Sequence, residues 1–179
     1  MIRAALLALA AAPAAAQHAA PEGAPAPYAG QETREIASLS AEDVAQIEAG
    51  AGWGLAKAAE FNGWPGPAHV LENADALGLT EDQRDEVQAI WEAMTAEARA
   101  LGAELIAAEA ALDAAFEAGE VSGESLGPLV MAAAEAEGRL RARHLAAHIE
   151  ATPILSRHQR MIYGQIRGYG GGHDGHGGH

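Results

Sequence analysis

At 179 residues, with 49% apolar but only 4% aromatic side chains, the chain has room for one alanine-rich domain with a thin apolar seam, not a thick globular core. A formal net charge of −14 excludes nucleic acid, which needs Lys and Arg to neutralise phosphates, and excludes an anionic membrane surface as the main partner. Cysteine is absent, so disulfides, thiolate catalysis and thiolate metal sites are excluded as well.

The N-terminus reads as an export signal. Arg3 supplies the positive charge, Ala4 to Ala12 an apolar stretch, and Ala14, Ala15 and Ala16 a small-residue cleavage site after Pro13. Residues 1–16 are therefore expected to be a signal peptide, leaving Gln17 as the first residue of an exported, periplasmic protein. The apolar stretch is short of the roughly 20 residues that span a bilayer. No later segment is apolar enough either, so stable membrane insertion is not expected. Residues 17–37, rich in Ala, Pro and Gly, read as a flexible linker, and 38–167 as a helical domain.

Within that domain, Ser40 can cap a helix, with Asp43 at the capping-box position and Val44 and Ile47 on its apolar side. Gly50, Gly52 and Gly54 weaken it. A short helical piece over Leu55 to Phe61 follows, then a break at Asn62 to Pro67, and a further helix is predicted from Ala68 to Leu77. The clearest start is Leu79-Thr80-Glu81-Asp82-Gln83: Thr80 can accept from the Gln83 backbone N–H while the Gln83 side chain reaches back to the Thr80 N–H. Val87, Trp91, Met94, Ala98, Leu101, Leu105, Ala108 and Leu112 continue in steps of four and three, the spacing of a left-handed helix pair, as far as Gly119.

After a turn over Glu120 to Gly123, Leu126, Leu129, Val130, Ala133, Ala136 and Leu140 form the stripe of a returning helix, with Pro128 expected in its first turn. Thr152-Pro153 ends it. Leu155-Ser156-Arg157-His158-Gln159 repeats the capping pattern and opens a short last helix. Acidic residues crowd Glu81 to Glu124, and arginines come late, from Arg139 to Arg167. This predicts two solvated faces that attract each other across the hairpin. The fold class is thus all-α, a long antiparallel hairpin with shorter flanking helices. Its thin seam makes an antiparallel homodimer attractive.

Two starts of the form Leu-Thr/Ser-x-x-Gln (Leu79, Thr80, Gln83 and Leu155, Ser156, Gln159), separated by a helical hairpin behind a signal peptide, resemble the LTxxQ family of Spy/CpxP type. Ser156 departs from the Thr of the motif but keeps the cap chemistry. The resemblance covers roughly residues 70–168 and leaves 28–69 unexplained. It implies a curved helical hairpin paired as a dimer, without enzymatic activity. Chaperone relatives hold unfolded clients on the concave face. Metal-responsive relatives take the ion on His, Met and carboxylate side chains or on a His-rich terminus.

Among candidate ligands, His144 and His148 stand one helical turn apart and can share a divalent ion such as Zn, Ni, Co or Cu, with a third donor from a carboxylate or another chain. The alternative is a pair of surface histidines near a helix C-terminus. The tail, 168–179, is expected to be mobile, and its His173, Asp174, His176 and His179 can wrap a metal among glycines. His69 and His158 are lone, and His158 is expected at the surface. Glu104, Glu109 and Asp113 fit a solvated face. Trp53, Trp64 and Trp91 read as core or dimer contacts, with Trp53 and Trp64 as an alternative client-contacting patch. No catalytic fingerprint is present, so the chain is not expected to be an enzyme or to require a cofactor. The expected role is metal binding in heavy-metal sensing, resistance or stress response. The alternatives are an ATP-independent holdase for unfolded periplasmic proteins, and a regulatory partner docking on a sensor's periplasmic domain.

Overall fold

The computed structural model describes residues 26–169. Residues 1–16, expected to be a signal peptide, residues 17–25 of the expected linker, and residues 170–179 of the tail, with His173, Asp174, His176 and His179, lie outside the described residues. The chain divides into two units at Glu32 and Thr33. In the first, residues 26–32 form turns, with the Gly30 N–H donating to the Glu32 carboxylate. All the described helices lie in the second unit.

That unit is all-helical: α1 (Ala41–Glu48), α2 (Lys57–Glu60), α3 (Pro67–Glu72), α4 (Glu81–Glu117), α5 (Gly123–Ala151), a 3₁₀ turn (Thr152–Ile154) and α6 (Arg157–Ile166). Helices α4 and α5 form the long hairpin; at 1.5 Å per residue α4 alone runs about 55 Å. The seam lies where the heptad spacing puts it. Val87, Met94, Ala98 and Leu105 of α4 are buried, as are Ala133, Ala136, Leu140, Ala147 and Ala151 of α5. Alanines at alternate steps let the two backbones approach, which keeps the core thin. Among the described residues, no helix is long and apolar enough to cross a membrane.

The charge segregation along the chain becomes cross-hairpin pairing. Arg139 meets Glu104, and the Arg143 Nε lies 2.8 Å from the Glu97 carboxylate. Glu109 and Asp113 do more than face solvent. The Ser38 hydroxyl donates to Glu109 at 2.7 Å and the Ala37 N–H to Asp113 at 3.2 Å, tying residues 37–38 to α4. Ile36 and Leu39 are buried beside this anchorage.

Three details depart from the sequence expectations. The third helix stops at Glu72 rather than Leu77, because the Asn73 side chain takes the carbonyl of His69 and turns carry the chain to Gly78 at φ +61°. Pro128 is the sixth residue of α5, not in its first turn. The Ser122 and Ser125 hydroxyls form a reciprocal cap that starts the helix early, and the Glu124 carbonyl that would have paired with residue 128 belongs to an exposed residue open to water. Leu126 and Val130, expected in the stripe, are 38% and 45% exposed, so burial along α5 begins only at Ala133.

At α1 the capping box forms as the spacing predicts. Asp43 accepts from the Ser40 N–H at 2.9 Å and the Ser40 hydroxyl at 2.6 Å, and also from the Trp53 indole at 2.8 Å. These bonds from Ser40 and then Trp53 hold its carboxyl below the ordinary value of 3.8. Asp43→Ala should therefore lower stability by about 1–2 kcal/mol at neutral pH. Because the folded value is depressed, the contribution is complete above 3.8 and is lost as pH falls below it. Urea titrations at neutral pH and near pH 3 should show wild type and variant converging in acid.

Candidate functional site

Five polar side chains converge where α2, the Trp64–Pro67 turn, α5 and α6 meet. Glu60 ends α2, His144 and His148 lie on the inner face of α5, Tyr163 comes from α6, and Arg167 caps the C-terminal end of α6. His144 and His148 are only 4% and 7% exposed, so a surface pair, one of the two sequence alternatives, is excluded. The reason is register. The α5 seam steps Ala136, Leu140, His144, Ala147, Ala151, and both imidazoles fall on it.

His148 has a fixed orientation. Its Nδ1 lies 2.8 Å from the Trp64 carbonyl, and a carbonyl can only accept, so Nδ1 carries the proton. In the neutral ring Nε2 then holds the lone pair. Gly66 packs against that side of the ring: a Cβ there would fall 3.0 Å from His148 Nε2, 2.8 Å from its Cε1 and 3.0 Å from Glu60 Oε1. The imidazole nitrogen and the carboxylate thus both border a position that a side chain could enter only by displacing them.

Glu60 is buried at 9% exposure. Its Oε1 accepts from the Tyr163 hydroxyl at 2.8 Å, and that hydroxyl accepts from the Gly66 N–H at 3.3 Å. Burial, and then the bond to Glu60, push the Tyr163 phenol well above its usual range, keeping it a donor. Glu60 Oε2 has no hydrogen-bond partner, and Arg167 Nε stands 3.8 Å away. His144 Nε2 is likewise buried without a partner. Desolvation, with the adjacent His148 and Arg143, holds its pKa below the usual histidine value, so the ring is neutral. Among the described residues no group of three or more His, Asp or Glu side chains is already gathered tightly enough to hold an ion. The chemistry fits a borderline divalent metal, however, with two imidazoles, one carboxylate and two buried polar atoms, Glu60 Oε2 and His144 Nε2, left without partners.

The other candidates sit elsewhere. His69 pairs with Glu72 at 2.9 Å and is half-buried. His158 is exposed, as expected. Trp53 and Trp91 are half-buried and Trp64 is 42% exposed. Glu60, Tyr163 and Arg167 were not singled out from the sequence. The one available signal was Glu60 as the only acid in the short Leu55–Phe61 piece.

The twin motifs form a structure of their own. Thr80 and Ser156 accept from the backbone of Gln83 and Gln159, and both glutamine oxygens accept from the cap N–H groups in return. The two glutamines also bond each other: Gln83 Nε2 lies 3.1 Å from Gln159 Oε1, and Gln159 Nε2 lies 2.9 Å from Gln83 Oε1. Gln83 Nε2 donates to the Ile154 carbonyl as well, at 2.8 Å. Leu155 is buried and Leu79 packs in the cluster of Val70, Leu77, Val87 and Tyr163. Each motif caps its own helix, and together they clamp the start of α4 to the start of α6.

Fold and motifs thus define a capped helical-hairpin protein with an imidazole–carboxylate cluster toward its open end, away from the turn that joins α4 to α5. The family described as heavy-metal resistance matches residues 49–161, and the chain belongs to that family, which is of the Spy/CpxP-like LTxxQ type. The match begins at Ala49, so it takes in α2 and Glu60, which the sequence resemblance had left out. No curated protein and no solved structure matches the chain.

Proposed function

We propose that this protein binds a divalent transition-metal ion through His148, Glu60 and His144, and acts in heavy-metal resistance or sensing in the periplasm by binding, without catalysis. The observation that carries the proposal is the His148–Trp64 bond. A backbone carbonyl fixes the tautomer, as it does for most metal-ligating histidines, and leaves the Nε2 lone pair on the side of Gly66 that a buried carboxylate also borders. His173, Asp174, His176 and His179 of the tail are a second donor set in this proposal. Such an ion would supply Lewis-acid affinity for imidazole and carboxylate. The residues' part is to stay deprotonated and dry.

Cobalt titration followed by its visible absorption tests this. The protein without residues 170–179 should keep one site, and His148→Ala or Glu60→Gln in that background should weaken it by at least roughly tenfold. Binding should also fade below about pH 6 as imidazoles protonate. Unchanged affinity in both variants would remove the core site and leave only the tail.

A holdase role is the second reading, and one observation favours it. Phe116, Leu126, Val130 and Met131 remain exposed at the hairpin tip, where they can meet unfolded clients or a second copy of the chain. Suppression of a reduced client's aggregation at near-stoichiometric ratio would favour it over the metal role.

A further inference from the structure

Beside the His148 cluster opens a cavity of about 630 Å³, far larger than an ion needs and within the range of small-molecule sites. Its lining inverts the character of the chain. The protein carries 25 acidic residues against 11 lysines and arginines, yet Lys57, Arg99 and Arg167 face the cavity against a single acid, Glu60. Aromatics make up only 4% of the sequence, yet Trp53, Phe61, Trp91 and Tyr169 all line it.

The rim loop, residues 49–54, is built of Gly and Ala around one large side chain, Trp53. Trp53 sits at φ +41°, a conformation bulky residues rarely adopt, and its indole N–H is held by Asp43. Arg99 lies against the loop at Gly50 and the Lys57 ammonium lies against it at Gly54. Arg99 spends its Nε on the Ala49 carbonyl. Neither Arg99 nor Lys57 pairs with a carboxylate among the described residues. Two uncompensated cations thus flank an aromatic wall, while the small loop residues leave the space between them open.

From this we infer that the cavity is a binding site for a small aromatic carboxylate, its ring against Trp53 and Trp91 and its anionic head on Lys57 and Arg99. The aromatic wall supplies apolar area and stacking for a flat ring. The two cations supply charge-assisted hydrogen bonds that a neutral analogue forfeits. Glu60, His144 and His148 also line the cavity, but neither the ring contacts nor the cations of this site are metal donors, so the two proposals can be tested apart.

The test uses the full chain in excess EDTA, so that no metal contributes, with 2-naphthoate and its neutral analogue 2-naphthamide as probes. Tryptophan fluorescence and calorimetry should show saturable binding of one naphthoate per chain, preferred over the amide by roughly tenfold. In the Lys57→Ala/Arg99→Ala double variant, whose exposed positions leave the core untouched and whose helical circular dichroism should match wild type, that preference should vanish while the weak amide binding persists. Three results would each overturn the inference: no saturable naphthoate binding up to about 1 mM, equal binding of acid and amide to the wild type, or an undiminished preference in the double variant. Because metal is absent throughout, failure here leaves the His148 proposal standing, and failure of the cobalt titration leaves this one standing.

Discussion

Replacing Gln83 with alanine should lower the unfolding free energy by about 2–4 kcal/mol, more than a helix cap alone contributes. Locally the change removes one half of the Thr80 capping box. The larger loss is across the fold. Gln159 is 8% exposed, and its amide would lose its partner on Gln83 in both directions. The Ile154 carbonyl would lose its donor too. Buried polar groups left without partners each cost about 1–3 kcal/mol. Gln159→Ala should destabilise by a similar amount. The double variant should then cost less than the sum of the singles, because the second substitution removes a group that had already lost its partner across the fold. Urea denaturation of the four proteins, followed by circular dichroism, measures this. Strict additivity would mean that the two motifs act as separate caps.

That amide pair marks the limit of what the sequence makes legible. Thr80, Gln83, Ser156 and Gln159 announce helix starts because capping is a matter of three-residue spacing, which sequence displays directly. The hairpin is legible for the same reason: Val87 to Leu112 repeats at a helical period, and Gly119 stands at φ +69° just past the end of α4. That Gln83 and Gln159 meet depends on how α6 folds back, which no local pattern encodes. The site divides the same way. His144 and His148 share a helix face by their four-residue spacing, but whether that face is wet or buried depends on α2 and the Trp64–Pro67 turn lying over it. Glu60 and Tyr163 are far apart in sequence and join only through the same packing. Sequence periodicity therefore exposes the rods, and the polar groups between rods need the structure.

Substituting Gly102 tests the packing that sets the cavity in place. Gly102 is buried in the middle of α4, where glycine is intrinsically costly and alanine would favour the helix by about 0.5–1 kcal/mol. A Cβ there would fall 2.6 Å from the Ile47 Cγ2 and 2.9 Å from the Ile47 carbonyl oxygen. The methyl can rotate aside, but the carbonyl belongs to the last turn of α1 and moves only with that helix. Steric cost should prevail over propensity, with Gly102→Ala destabilising by about 1–2 kcal/mol and Gly102→Leu by about 3 kcal/mol or more. Gly50, just beyond α1, stands against α4 in the same way, with the Thr95 carbonyl 2.9 Å from its Cβ position. An α1 pushed off Gly102 would therefore carry the 49–54 loop and Trp53 away from the cavity. In Gly102→Leu the tryptophan emission should shift red as Trp53 becomes hydrated, while the Gln83–Gln159 clamp at the start of α4 keeps α6 in place. Unchanged emission together with lost stability would show that α1 and the loop do not move as one. A Gly102→Ala protein more stable than wild type would show that α1 yields freely, and that its seat on α4 is looser than these contacts require.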